Sequence, residues 1–192
     1  MKKILVAAIL LIGCISASAQ SFGVGGGFVN SSTRFGNRES DPMNGFYAQG
    51  TADLNLTNAF SIVAGLRYMY TGANKDLFFF TGKTANHTIG VPVMAKANLF
   101  NNGDLKAFIF AGPTFYYGLS SKSNVAGAVI DHYKDGPFNQ FNVTVGGGVG
   151  LDAMEAVRFT IGYDYGVTNK YKANSSTKAN TADIRFGVAF LF

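Results

Sequence analysis

The strongest constraint on this chain is a period of two. From Phe46 to Leu56, Phe46, Ala48, Gly50, Ala52, Leu54 and Leu56 share one face, while Tyr47, Gln49, Thr51, Asp53 and Asn55 share the other. The alternation returns from Phe60 to Tyr70, Thr88 to Leu99, Gln140 to Leu151, Val157 to Tyr165 and Asp183 to Phe192. A strand turns successive side chains to opposite faces, so each segment reads as a ribbon with one apolar side. Ser21 to Val29 gives a weaker, glycine-rich first strand. Lys106 to Leu119 gives a fifth with mixed faces, its Ala107, Ile109, Ala111, Phe115 and Tyr117 assigned to the apolar side. Eight strands result, and no charged residue falls on an apolar face.

Link lengths point the same way. Thr57-Asn58-Ala59, Asn101 to Leu105 and Ala153 to Ala156 are short, whereas Asn30 to Gly45, Thr71 to His87, Ser120 to Asn139 and Thr168 to Asn180 are long and polar. Short and long links alternate strictly, as periplasmic turns and extracellular loops do in an outer-membrane barrel. With odd strands running outward, Phe28, Phe46, Tyr68, Tyr70, Tyr117, Phe141, Tyr163 and Tyr165 gather at one rim. Phe22, Phe60, Phe100, Phe159, Phe190 and Phe192 gather at the other. Two aromatic girdles are expected at the two interfaces of a bilayer. The predicted fold is all-β: an eight-stranded antiparallel up-and-down transmembrane β-barrel over residues 20–192, with both termini periplasmic.

Residues 1–19 read as a signal peptide. Lys2 and Lys3 precede the apolar run Ile4 to Gly13, and Ala17-Ser18-Ala19 supplies a small-x-small cleavage site. Leu11-Ile12-Gly13-Cys14 is a competing lipobox, in which Cys14 would carry lipid. Cys14 is the one cysteine, so cleavage near Ala19 leaves no disulfide and no thiolate metal site. Without Lys2 and Lys3, 14 Lys and Arg face 11 Asp and Glu, a scattered excess of +3 that gives no nucleic-acid footprint. No later stretch is apolar over the eighteen or so residues that a membrane helix needs.

Several short motifs resemble those of the bacterial outer-membrane protein β-barrel domain family, of the PorT-like group. They are Val91-Pro92-Val93-Met94-Ala95-Lys96, Ala111-Gly112-Pro113, Gly146-Gly147-Gly148-Val149 and Tyr163-Asp164-Tyr165-Gly166-Val167-Thr168-Asn169, in that order, with an aromatic terminus at Phe192. The resemblance covers most of the mature chain. It implies a fold and a location, with structural, adhesive and secretion-linked roles among members, and it carries over no catalytic residue.

The inward charges Asp53, Arg67, Lys96, Lys106, Asp152, Arg158, Asp164, Asp183 and Arg185 are expected to form a lumenal ion-pair network rather than line a pore. Eight strands leave room only for side chains, and an unpaired buried charge is costly. Asp164 and Arg185 are expected to meet at one height, and Lys106, Asp152 and Arg158 near the base. His87 and His132 are the two histidines; His87 comes near Ser120 and Ser121 in height, without a catalytic motif. The glycines at 23–27 and 146–150 complete no phosphate loop. Leu77, Phe78, Phe79 and Phe80, with the stretch Val125 to Ile130 that includes Val129, are apolar patches in polar links. They read as strand extensions, as a cover over the mouth, or as contacts for an extracellular or secretion-system partner. The Lys170, Lys172 and Lys178 loop reads equally as a solvated loop or as one that meets lipopolysaccharide phosphates. Phe190 and Phe192 are the expected insertion signal for the barrel-assembly machinery. No cofactor, metal or nucleic acid is expected. The leading functional expectation is a non-enzymatic barrel; the alternatives are a small lipid-modifying enzyme and a soluble lipocalin-type barrel with its apolar face inward.

Overall fold

The computed structural model describes residues 21–35, 38–77, 80–125, 128–133, 136, 138–171 and 179–192. Its strands are β1 (Ser21–Phe35), β2 (Arg38–Glu39), β3 (Met43–Asn55), β4 (Phe60–Leu77), β5 (Phe80–Asn101), β6 (Leu105–Val125), β7 (Ala128–Asp131), β8 (Phe141–Ala153), β9 (Val157–Gly166) and β10 (Ala179–Leu191). The short β2 and β7 pair only with β1 and β6. The other eight are the staves. Each pairs antiparallel with its chain neighbour, and β10 returns to β1 in a ladder from Gly23↔Leu191 to Phe35↔Ala179. Closure gives every stave a hydrogen-bonded neighbour on each side, the condition a strand structure must meet in hydrocarbon.

Exposure decides which face looks in. Arg67, Lys96 and Arg185 are 3%, 6% and 4% exposed, while Leu66, Val93 and Phe186 are 40%, 36% and 48% exposed. The apolar side faces outward and the ionic side faces the axis. That orientation overturns the lipocalin reading, which requires the reverse.

The eight expected strands are all present, but three of the four expected long loops are largely strand among their described residues; in Ser120 to Asn139, β6 continues to Val125 and β7 covers Ala128–Asp131. Thr71 to His87 belongs to β4 and β5, which stay paired up to Leu77↔Phe80. Asn30 to Gly45 is largely β1, β2 and the start of β3. The loss of apolar contrast marks the end of the membrane band, not the end of the strand, because hairpin hydrogen bonds continue in water. β4, β5 and β6 run 18, 22 and 21 residues, against 10 for β9. About 9–11 residues suffice to cross a bilayer. One wall of the barrel therefore stands well past the other.

The mixed faces of β6 also have a cause. Phe108 and Tyr116 are buried on the inner face, at 3% and 5% exposure, so that face is not polar. Leu119 is an extra residue at a register shift, between Ser120 opposite His87 and Gly118 opposite Thr88, which resets the alternation.

Candidate functional site

The interior is built in two charged layers. At the turn end, Asp53, Lys96, Asp152 and Arg158 come inward from β3, β5, β8 and β9. Lys96 Nζ lies 3.0 Å from Asp53 Oδ2 and 3.3 Å from Asp152 Oδ2. Arg158 donates from Nη2 to Asp53 Oδ2 at 2.8 Å and from Nε to Asp152 Oδ1 at 2.7 Å, and its remaining guanidinium contacts double both bonds. Two cations and two anions close a neutral ring. The Phe108 ring caps it, its centroid 4.7 Å from Lys96 Nζ and 5.1 Å from Arg158 Cζ.

The second layer is less balanced. Asp164 is flanked by Arg185 Nη2 at 2.8 Å and Arg67 Nη1 at 3.7 Å. Arg67 also donates to Tyr116 Oη at 3.0 Å and to Gln49 Oε1 at 3.1 Å. Tyr47 lies under both guanidinium groups. Asp183, directly opposite Asp164 in the ladder, accepts from Ser31. Among the described residues, Asp183 Oδ1, Arg185 Nε and Tyr47 Oη have no hydrogen-bond partner. A cavity of about 50 Å³, lined in part by Arg67, Met94, Phe110 and Arg185, separates the two layers.

The interior rings Tyr47, Phe108, Phe110 and Tyr116 were not read from the sequence as part of this site. Their signal was present in the inward glycines. A Cβ at Gly150 would strike the Phe108 ring, and one at Gly187 would strike the Tyr47 hydroxyl. Each glycine is the complement of a large ring on a facing strand.

Lys106 departs from the expected base grouping. Asp152 lies beside it in the ladder but is held by Lys96 and Arg158, so Lys106 reaches Glu155 in the β8–β9 turn instead. The hydrogen bond from Lys106 holds the Glu155 carboxyl below the usual range. Both residues rim a polar vestibule of about 710 Å³ that opens at the turn end, floored by the base ring.

Opposite the vestibule, loop residues fold over the mouth. Phe138 bridges to Tyr171, with ring centroids 5.2 Å apart, and stacks on His132 at 4.9 Å. His132 Nε2 lies 2.8 Å from Ser123 Oγ. Asn139 Nδ2 donates to the carbonyls of Asn169 and Tyr171. Lys170 fits neither a solvated nor a lipid-facing loop: its Nζ sits 5.1 Å from the Phe138 centroid and donates to Thr33 Oγ1 at 3.3 Å. Burial pulls its ammonium below the usual lysine range, against the opposing pull of Asp183. Burial, with the Asp131 carboxylate adding to it, pushes the Tyr133 phenol up to about 12. Lys172 and Lys178 lie outside the described residues, as do Phe78 and Phe79. Leu77, Phe80 and Val129 are strand residues flanking hairpin tips, and Ile130 is 45% exposed on β7.

His87 faces outward. It lies opposite Ser120 in the ladder, and its Nδ1 is 2.6 Å from Tyr68 Oη. Ser121 faces inward, donating to Asn86. Among the described residues no group of three His, Asp or Glu could hold a metal ion.

A closed barrel with ionic residues around its axis and Val, Leu, Ile and Phe exposed around its girth is an integral membrane β-barrel. The chain belongs to the outer membrane protein β-barrel domain family, whose model matches residues 18–172, and it is an integral protein of the outer membrane. Nothing among curated proteins matches it in sequence. Its fold is similar to that of Ail, the attachment invasion locus protein of Yersinia pestis, at 11% identity and TM-score 0.56, covering 90% of this chain and 98% of that one. It is also similar to Neisserial surface protein A, at 15% identity and TM-score 0.53, covering 88% and 96%.

Proposed function

We propose that the protein is a non-enzymatic outer-membrane barrel, its lumen closed by side chains and its role carried by the outward hairpins. That role is structural, adhesive or secretion-accessory. The observation that carries the reading is the base ring, where both carboxylates and both cations satisfy one another under Phe108. A conducting lumen needs fixed charges facing water; these face each other. Reconstitution into planar bilayers tests it: no stable conductance is expected, and porin-sized steps would overturn it.

In this reading residues 1–19 are removed near Ala19, both termini lie in the periplasm, and Phe190 and Phe192 are read by the assembly machinery. Supporting it, the three tight turns lie at the end where both termini lie, and the long hairpins β4–β5 and β6–β7 rise from the other. Those hairpins, with Ile130 exposed, are the surface for an extracellular or secretion-system protein, while lipid and lipopolysaccharide surround the wall. Cell-surface labelling of an epitope inserted at residues 78–79 is expected to succeed on intact cells.

A second reading, a lipid-modifying enzyme, is favoured by one observation: His87 and Ser120 are cross-strand neighbours on the lipid side. Its His87 Nδ1 is occupied by a tyrosine rather than a carboxylate, which leaves the imidazole without the partner that usually orients a general base. A changed lipopolysaccharide acyl profile on His87→Ala would decide for the enzyme.

A further inference from the structure

The cavity of about 50 Å³ between the two charged layers has a one-sided lining. Arg67 and Arg185 reach it from the upper layer, Lys96 and Arg158 from the base ring, and among the described residues no Asp or Glu does. These four side chains belong to residues that are 3%, 4%, 6% and 7% exposed. The carboxylates that pair with them, Asp53, Asp152 and Asp164, are held outside that lining. Every charge that touches the space is therefore positive.

Donors are left over as well. The bonds to Asp53 and Asp152 use two of the three Lys96 N–H groups and four of the five on Arg158. Arg185 Nε has no acceptor. A buried N–H without an acceptor is costly, and more so on a charged group. The neutral polar lining cannot supply one freely: Gln49 Oε1 already accepts from Arg67 Nε at 3.1 Å, and Thr51 Oγ1 turns to the Gly23 carbonyl. Thr160 adds a hydroxyl to the same wall. Size then selects the guest. One water needs about 10–15 Å³ of such space, so a monatomic ion fits with a water or two and an organic anion does not.

We propose that the cavity between the layers, lined by Arg67, Lys96, Arg158, Arg185 and Thr160, binds a halide ion, chloride under ordinary conditions. The ion accepts donors that the carboxylates leave over and ties the two layers together electrostatically. Each of the four cations already has a carboxylate partner, so the space stabilises one further negative charge by proximity rather than by net charge. That favours a monovalent ion over sulfate or phosphate. The site goes beyond the closed-lumen reading and does not depend on what the outward hairpins contact.

The test refolds the mature protein from urea into detergent in sodium bromide and crystallises it from that solution. Bromide scatters anomalously, and a peak is expected between the two layers beside Arg185 and Thr160. In solution, the fraction that keeps its folded, heat-modifiable gel mobility in urea is expected to rise with chloride or bromide, with gluconate holding ionic strength constant. For one site the folded-to-unfolded ratio grows by 1 + [halide]/Kd, about a hundredfold at a hundred times Kd. Gln49→Glu puts a carboxylate into the lining beside Arg67 and is expected to abolish that dependence. Thr160→Val keeps the shape, removes one hydroxyl and is expected to raise Kd about tenfold, the ratio for one charge-assisted hydrogen bond. It carries the comparison if Gln49→Glu does not fold. A cavity holding water alone, unfolding indifferent to halide, or folded variants that keep the full dependence would overturn the site.

Discussion

The two charged layers of the lumen are both built on Asp and Arg and are satisfied to different degrees. The base ring matches two carboxylates to two cations and satisfies every carboxylate oxygen. The upper layer sets two guanidinium groups on Asp164 and keeps Asp183 beside them with one oxygen unpartnered. A closed ring has no spare member, so removing one strands a charge. The upper layer has redundancy, because Asp164 keeps a cation when either arginine is lost. Balance gives rigidity; redundancy gives tolerance.

Substitutions can break that comparison. Arg158→Leu leaves two buried carboxylates sharing Lys96 and is expected to destabilise the barrel by about 3–5 kcal/mol, the cost of breaking a buried ion pair. Urea unfolding in lipid vesicles reads it. Arg67→Leu, measured the same way, is expected to cost clearly less, since Arg185 still holds Asp164; equal losses would show that the layers do not differ. Next in size is Gly150→Ala, whose methyl group would displace the Phe108 cap of the base ring. Overpacking of this kind costs about 1–3 kcal/mol. Phe108→Leu is expected to restore most of it, and a failure of rescue would separate the cap from the ring.

The smallest effect belongs to the exposed pair at the vestibule rim. Glu155 titrates below its ordinary value because Lys106 stabilises the carboxylate. A depressed acid pKa gives stability that is present above the unfolded value and lost as pH falls through the folded one. Lys106→Gln should therefore leave unfolding at neutral pH nearly unchanged. It should move the Glu155 carboxyl resonance upward in a nuclear magnetic resonance pH titration; an unmoved midpoint would show the pair to be idle.

Much of the fold was legible because the barrel repeats one rule along the chain. The strict alternation at Phe46–Leu56 and the one-sided placement of Asp53, Arg67 and Lys96 fix strand type and the grouping of charges on one face, since a one-residue slip would mix the two faces; which face looks inward came from exposure. Strand ends were not legible. From Thr71 to Asp76 both faces are small or polar, and a hairpin in water leaves the same trace as a loop. The interior rings were also missed: Phe108 and Tyr116 look like any apolar residue until the glycines opposite them are known. Lys106 and Lys170 went astray for a related reason. Their neighbours in sequence or ladder say nothing of which partner is already occupied.

The sequence by itself determined eight strands that each keep their charges on one face, because a period of two sorts the side chains of every strand the same way. Only the tertiary structure decided who pairs with whom inside. Asp53 lies 105 residues from Arg158, and their contact depends on the tilt and stagger of strands that only the closed barrel defines.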